Sequence, residues 1–411
     1  MFTPGFDFQD MDNDMRPLVL KSFTATSCIG TGVGETLQSL RAQRSGLKRC
    51  QFETVELDTY VGEVAGVDAV ELPGELSRFD CRNNRLAEFA VAQDGFMDDV
   101  ENAAQRWGRS RVAVFMGTST AGILETELAY RRRDPISGAL PANFEYGTTQ
   151  NTFSVADYLR RRLRLDGPAM VVSSACASSA KVFGSAQRMI EAGMIDAAVV
   201  GGVDSLCLTT LYGFHSLQLC SRAPCRPFDA ARDGISIGEA AAFVLLERSG
   251  NDSPSDEVRL LGVGESSDAY HMSAPHPEGL GARRAMQAAL TAANLEISAI
   301  DYINLHGTGT PSNDKAESLA VAGLFGPATP GSSTKGATGH TLGAAGALEA
   351  VVCAIALRND LMPGGLPGTH VDPQLTTHYL RENRNSPLTH VLSNSFGFGG
   401  TNCSLVFGVV G

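Results

Sequence analysis

An α/β fold is what this sequence predicts, and three observations predict it. Short β-like runs alternate with amphipathic helical patterns from Pro17 onward, which argues for strands that are largely parallel. The 411 residues exceed the usual size of one domain, so either two domains or one large fused unit is expected. Two small-residue turns that each lead into an Ala-rich helix, around Cys176 and over 339–360, suggest two halves built alike.

Residues 1–16 read as a polar extension. Acidic residues stand where a signal peptide would carry a basic region and an apolar core. The β-like runs are 111–119, 168–175, 197–205 and 240–247, and helical patterns cover 85–107 and 154–165. The stretch GNDSPSDE (250–257) is polar, contains Gly and Pro, and reads as a linker or exposed crossing. The expected division is therefore 1–16, then 17–250 carrying Cys176, then 251–411 carrying His306 and His340. Beyond the linker a strand-like run opens the second half, followed by a helix over 282–295 and a strand over 299–307.

Composition excludes several classes. Hydrophobic residues make up 43% and charged residues 19% of the chain, which is globular. The net charge of −12 disfavours nucleic-acid binding. Nine scattered cysteines form no disulfide framework and point to a reducing compartment. No apolar run approaches the roughly 20 residues of a membrane span. The expectation is a cytoplasmic protein with no membrane or nucleic-acid partner.

Four stretches carry chemistry. In VVSSACASSAKVFGSAQRMIEAG (171–193), Cys176 sits where a strand meets a helix, among small residues that leave room for a substrate. A helix N-terminus lowers a thiol's pKa, so a reactive thiolate is expected there. A buried structural cysteine is the plain alternative, and it fits the other eight. In INLHGTGTPSNDKAE (303–317), a β run ends at His306 before a Gly/Thr loop. Asp314 and Glu317 share a face if a helix starts near Asn313, and can bond the loop backbone. A loop-capping histidine is the alternative. In STKGATGHTLGAAGALEA (333–350), Lys335 and His340 flank a glycine turn ahead of a helix carrying Glu349. In NSFGFGGTN (394–402), Phe396 and Phe398 alternate with glycines, including Gly399 and Gly400. This reads as an aromatic gate, as a backbone N–H aimed at a ligand, or as a turn with two core phenylalanines. GTGVG (30–34) lacks phosphate-loop spacing. Cys220, Cys225 and His215 have no second pair to complete a metal site.

Taken in this order, SSACASSA, HGTGTPSND, TKGATGHTLGAAG and NSFGFGGTN resemble the elongating β-ketoacyl-acyl-carrier-protein synthases, condensing enzymes of fatty acid and polyketide synthesis. RPFDAARDG (226–234) and SSDAYHMSAPHPEG (266–279) add to the match, which spans about Pro17 to Gly411. The resemblance implies the thiolase fold, a five-layered αβαβα core from two pseudo-equivalent halves, normally a homodimer. It implies that Cys176 takes the acyl group and that the N–H groups of Cys176 and Phe398 form an oxyanion hole. His306 and His340 would bind the malonyl carbonyl during decarboxylation. Lys335 and Glu349 would order the site, with Asp314, Glu317, Phe396, Gly399 and Gly400 in support and Phe398 as the gate. No cofactor is implied, because the phosphopantetheine arm belongs to the acyl carrier protein. Ser119 and Thr120, in the loop matching an acyl-pocket lining, suggest a polar pocket for an unusual acyl chain. Carrier contacts are expected at Arg131, Arg132 and Arg133, and at Arg82, with Arg78 and Arg85 nearby. Two other readings are a non-decarboxylative thiolase, which would enlist Cys403, and a subunit working with a chain-length-factor partner.

Overall fold

The computed structural model describes residues 16–248, 257–368 and 370–409. Of the expected extension and linker, only Arg16 and Glu257 fall among the described residues. The first half contributes strands β1 (Leu18–Ser27), β2 (Val112–Gly117), β3 (Ala169–Val172), β4 (Ala197–Asp204) and β5 (Ala240–Arg248). The second contributes β6 (Val258–Ser267), β7 (Tyr302–Asn304), β8 (Pro330–Ser332), β9 (His378–Tyr379), β10 (His390–Gly397) and β11 (Thr401–Val409).

The first half runs β3-β2-β4-β5-β1 in space, and the second runs β8-β7-β10-β11-β6 with β9 outside β8. Both series share one pairing pattern. Two parallel ladders come first, β3·β2 and β2·β4 or β8·β7 and β7·β10. Two antiparallel ladders follow, β4·β5 and β5·β1 or β10·β11 and β11·β6. The halves join where β1 pairs antiparallel with β6, Leu18 facing Leu260. The duplication suggested by two small-residue turns is thus present in the order and direction of the strands.

The expectation of largely parallel strands is corrected: the sheet is mixed. Helical crossovers generate parallel pairs only where a helix returns the chain to the same end of the sheet. At 397–401 a tight turn reverses the chain instead, and NSFGFGGTN is the bend of an antiparallel hairpin between β10 and β11.

The helices are α1 (Gly32–Arg41), α2 (Arg82–Val91), α3 (Phe96–Trp107), α4 (Ile123–Arg131), α5 (Ser154–Arg162), α6 (Ser178–Glu191), α7 (Leu208–Ser216), α8 (Leu280–Ala292), α9 (Pro311–Phe325), α10 (Lys335–Thr338) and α11 (Ala345–Asn359). Helices α2, α3 and α5 cover the outer face of the first half, and α8 and α9 that of the second. Helices α6 and α11 lie between, packed on strands of both halves. Five layers, αβαβα, result, and this is the thiolase-like fold. The stretch Leu342–Asn359 is apolar enough to span a membrane by composition, but 89% of it is buried in this central layer.

Several element boundaries differ from the sequence reading, and two have a reason in the backbone. The helix expected over 85–107 is two helices. Asp94 and Gly95 break it with left-handed backbone, φ 56° and 71°. The Asp94 carboxylate is held there by Thr24 Oγ1 at 2.7 Å and the Val33 N–H at 2.9 Å. The strand expected over 299–307 is only Tyr302–Asn304, because Ile297–Ala299 forms a 3-10 turn.

Helix α11 approaches α6 across Gly346. A Cβ there would lie 2.6 Å from Ala180 N and 2.7 Å from Ala180 Cβ, so only glycine fits without displacing backbone. Gly346→Ala should therefore cost about 1–3 kcal/mol, although alanine is the better helix former. Chemical denaturation checks this, and an unchanged or raised midpoint would count against it.

Candidate active site

Cys176 follows β3 by a short turn and precedes α6. Ala175 holds φ at 50°, a left-handed value that turns the chain sharply just before the thiol. His306 follows β7 at the inner end of the second half. His340 follows α10 and is fixed on both sides by backbone bonds, its N–H donating to Ser236 O and its own carbonyl accepting from Gly238 N–H. The duplicated fold thus places the thiol ahead of one central helix and His340 ahead of the other.

These groups meet. His340 Nε2 lies 3.0 Å from Cys176 Sγ. The rings of His306 and His340 stand edge to face, 5.3 Å apart, and Phe396 lies 5.7 Å from His306. Lys335 Nζ is 3.4 Å from His306 Nδ1 and bonds Glu349 Oε1. An ammonium can only donate, so Nδ1 of His306 accepts and its proton resides on Nε2. Phe398 donates its backbone N–H to Cys176 Sγ, and its ring packs on Phe214 at 5.7 Å. A cavity of about 60 Å³ is lined by Cys176, His306, His340, Phe396 and Phe398, with Thr308 and Thr310 at its wall.

The loop after His306 is held by two buried carboxylates. Glu317 accepts from the N–H groups of His306 at 2.8 Å and Gly307 at 2.7 Å. Asp314 accepts from Phe228 N–H at 2.8 Å and Gly309 N–H at 3.2 Å. Both project from α9, which begins at Pro311 with Thr310 as its cap. Gly399 donates its N–H to Met272 O at 2.8 Å, and Gly400 O accepts from Asp268 N–H at 2.8 Å. The 394–402 hairpin is thereby tied to the 268–276 loop.

Burial dominates the electrostatics. It pushes the Cys176 thiol up to about 12, against Lys335 and the Phe398 N–H, which draw it down. The expected low thiol pKa is corrected: helix α6 starts two residues beyond the sulfur, and desolvation outweighs its field. Burial, then Lys335, holds His306 and His340 well below the ordinary 6.5, so both rings are neutral. Burial lifts Glu317 to about 7.

Two further expectations are corrected. Ser119 and Thr120 do not offer their hydroxyls to an acyl chain; both donate to the carboxylate of Asp204. The polar-pocket reading loses its basis. Arg82 is 3% exposed and bonds Glu239 at 2.6 and 2.9 Å and Asp68 at 2.6 Å. It neutralises a buried carboxylate, so it cannot meet a carrier protein. Arg85 is engaged by Asp80. Arg132 and Arg133 are exposed, and Arg131, also at the surface, bonds Thr54. Cys403 lies fully buried on β11, away from the cavity lining. Among the described residues, no group of three His, Cys, Asp or Glu side chains can hold a metal.

Asp204, Thr308 and Thr310 escaped the sequence reading. The signal for Asp204 was available: one carboxylate ends the otherwise apolar run AAVVGGVD. The threonines carried none beyond their place in the run Gly307–Thr308–Gly309–Thr310.

Family models match most of the chain: the β-ketoacyl synthase N-terminal domain over residues 15–251 and its C-terminal domain over 258–369. The chain is 29% identical, over 95% of its length and 98% of the relative's, to a 3-oxoacyl-[acyl-carrier-protein] synthase 2 of Staphylococcus aureus (strain COL). It is 35% identical, over 78% of each, to a protein of that name from Rhizobium meliloti (strain 1021). A similar solved structure is a ketosynthase (ApeO) in complex with its chain length factor (ApeC) from Xenorhabdus doucetiae. It has a TM-score of 0.86 and 38% identity, covering 96% of this chain and 98% of that one.

The neutral histidines predict a pH effect. Unfolding lets His306 take up a proton below about pH 6.5 that the folded state refuses. Its depressed pKa therefore contributes stability above 6.5 that is lost as pH falls, by up to about 1.4 kcal/mol per pH unit. Glu317 acts in the opposite sense between its ordinary 4.5 and about 7, so the wild-type slope is a difference. Relative to wild type, His306→Asn should lose less stability between pH 6.5 and 5. Denaturant titrations at several pH values check this, and parallel curves would contradict it.

Proposed function

The chain belongs to the β-ketoacyl synthase family of condensing enzymes, and from that premise we propose that it elongates an acyl chain by decarboxylative condensation with malonyl-carrier protein. The observation that carries this reading is the 3.0 Å contact of Cys176 with His340, beside a His306 whose Nε2–H is left for a substrate.

In the first step, Cys176 attacks the acyl thioester of a carrier protein. The acyl–Cys176 bond forms, and the carrier's sulfur departs with the thiol's proton. His340, at hydrogen-bond distance, assists that transfer. The acyl oxygen is received by the N–H groups of Cys176 and Phe398. Malonyl thioester then enters. Its C–C bond to the carboxylate breaks, CO2 leaves, and the electron pair becomes an enolate stabilised by His306 and His340. The enolate carbon attacks the acyl–Cys176 carbonyl, and the 3-oxoacyl thioester departs on the carrier. Cys176 is released as a thiolate and takes up one proton from solvent. Lys335 is paired with Glu349 and orders His306, so it does not serve as the base. Holding both partners in one cavity removes much of the entropy cost of their encounter. Phe398 is read as the gate, since its ring and its N–H both face the thiol's neighbourhood.

The acyl carrier protein is the proposed partner, met at Arg131, Arg132 and Arg133. A second reading concerns assembly. The chain's likeness to a ketosynthase solved with its chain length factor supports heterodimerisation with such a subunit. Among the described residues no strand pairs with the outer edge of β3, and Met170 there is exposed, so a second chain, identical or not, fits against it.

Intact-protein mass spectrometry after mixing with a panel of acyl-carrier proteins tests the reaction. A mass gain on wild type and none on Cys176→Ala is expected, followed by CO2 release on adding malonyl-carrier protein. Gain on the variant would sink the assignment. Reversing charge at Arg131 and Arg132 should raise KM for carrier-bound substrate about tenfold while sparing small thioesters. Equal effects on both would remove that surface from the reading.

A further inference from the structure

The carboxylate of Asp204, at the buried end of β4, collects six hydrogen bonds from four residues. Oδ1 accepts from Thr118 Oγ1 at 2.7 Å, Ser119 N–H at 2.8 Å, Thr120 N–H at 2.9 Å and Thr120 Oγ1 at 2.9 Å. Oδ2 accepts from the Ser119 hydroxyl and from Gly343 N–H at 2.6 Å. All six donors are neutral, so the carboxylate is held by dipoles and its charge stays uncancelled by them. The donors come from both halves: the loop after β2 belongs to the first, and Gly343 to the second.

Gly343 lies three residues beyond His340, in the turn that leads to α11. Leu342 beside it is held at φ 52°, a conformation that a branched side chain resists. No room exists for a side chain at 343, where a Cβ would lie 2.8 Å from Asp204 Oδ2 and 2.8 Å from Ser119 N. The turn is therefore clamped against Asp204. Ala121 and Ala175 also hold left-handed φ values, 45° and 50°, in the loops that pass beside the same site. Three strained bends converge where Asp204 supplies the bonds that hold two of them.

We infer that Asp204 is a positioning residue for the reaction proposed above: it locks the turn that presents His340 to Cys176. The imidazole that reaches Sγ stands three residues ahead of Gly343, and Gly343 is bonded to this carboxylate and packed against it.

Asp204→Asn opens the clamp at one point. Its amide oxygen takes the four donors of Oδ1, which leaves the NH2 facing Gly343 N–H. Two donors then oppose each other, and the turn bearing His340 must shift. Two quantities read the outcome on the full chain: the rate of iodoacetamide alkylation at Cys176 near neutral pH, followed by peptide mass spectrometry, and CO2 release from malonyl-pantetheine without an acyl primer. For Asp204→Asn the alkylation rate should fall about tenfold, because His340 no longer takes the thiol's proton, and CO2 release should fall about tenfold or more. In a His340→Ala background the same substitution should leave alkylation unchanged. A merely structural role, which loosens the cavity around the thiol, would raise alkylation in both backgrounds. Thr120→Val removes one donor from the clamp and should move alkylation the same way by less.

An unchanged or raised alkylation rate in folded Asp204→Asn overturns the inference, and so does an equal fall in the His340→Ala background. If Asp204→Asn fails to fold, Thr120→Val decides the matter by the same two comparisons. Alkylation reports on the thiol directly. Its result therefore stands even if wild type releases no CO2, which would count against the proposed reaction and not against the clamp.

Discussion

The contact between Cys176 Sγ and His340 Nε2 joins the entrances of two helices that come from different halves of the chain. Everything else about the site depends on those helices lying close. Their approach is set by absent side chains: Gly346 meets Ala180 backbone directly, and a Cβ at Gly202 would lie 2.5 Å from that of Ser179 and 2.9 Å from Ala344 Cα. Dispersion and desolvation then hold the seam, for the buried faces of both helices join one apolar central cluster. A larger residue at any of these points would separate the thiol from its imidazole before it changed any reacting group.

Desolvation is the second consequence of that packing. A group withdrawn from water prefers its neutral form, and the thiol and both imidazoles follow the rule. Lys335 and Glu349 stand beside them as a buried pair. Such a pair is a poor source of stability, because its desolvation offsets most of its attraction. Its value here is orientation. The ammonium beside Nδ1 fixes the tautomer of His306, and Glu317 fixes the backbone that carries the ring.

Much of this was legible in the sequence, and the reasons for what was not are physical. Short runs alternating with amphipathic helices gave the α/β class, and two similar turns gave the duplication. Strand direction was hidden because a hairpin and a crossover can follow equally apolar runs; NSFGFGGTN read as a gate before it could be read as a bend. The residues Cys176, His306, Lys335 and His340 stood out by type and spacing, and geometry brings the thiol and both imidazoles to one cavity with Lys335 behind His306. The pKa of Cys176 was misjudged because a helix terminus is visible in sequence and burial is not. Arg82 failed for the same reason. An arginine in a polar stretch, RNNR, reads as surface until Glu239, 157 residues away, is seen to face it. Ser119 and Thr120 read as polar lining because nothing in their neighbourhood names Asp204 as the acceptor.

The raised thiol pKa and the proposed chemistry are parts of one compromise. A dry cavity weakens the thiolate, yet it strengthens every hydrogen bond aimed at an enolate or an oxyanion, since no water competes for the charge. The thiolate is needed once per turnover, while developing negative charge on substrate oxygen must be met in both the transfer and the condensation. Favouring the oxygens at the sulfur's expense is then the better arrangement. It requires that the sulfur lose its proton only as it attacks, to an acceptor already in contact. His340 is that acceptor by position, and its depressed basicity ensures that it passes the proton on to the departing sulfur.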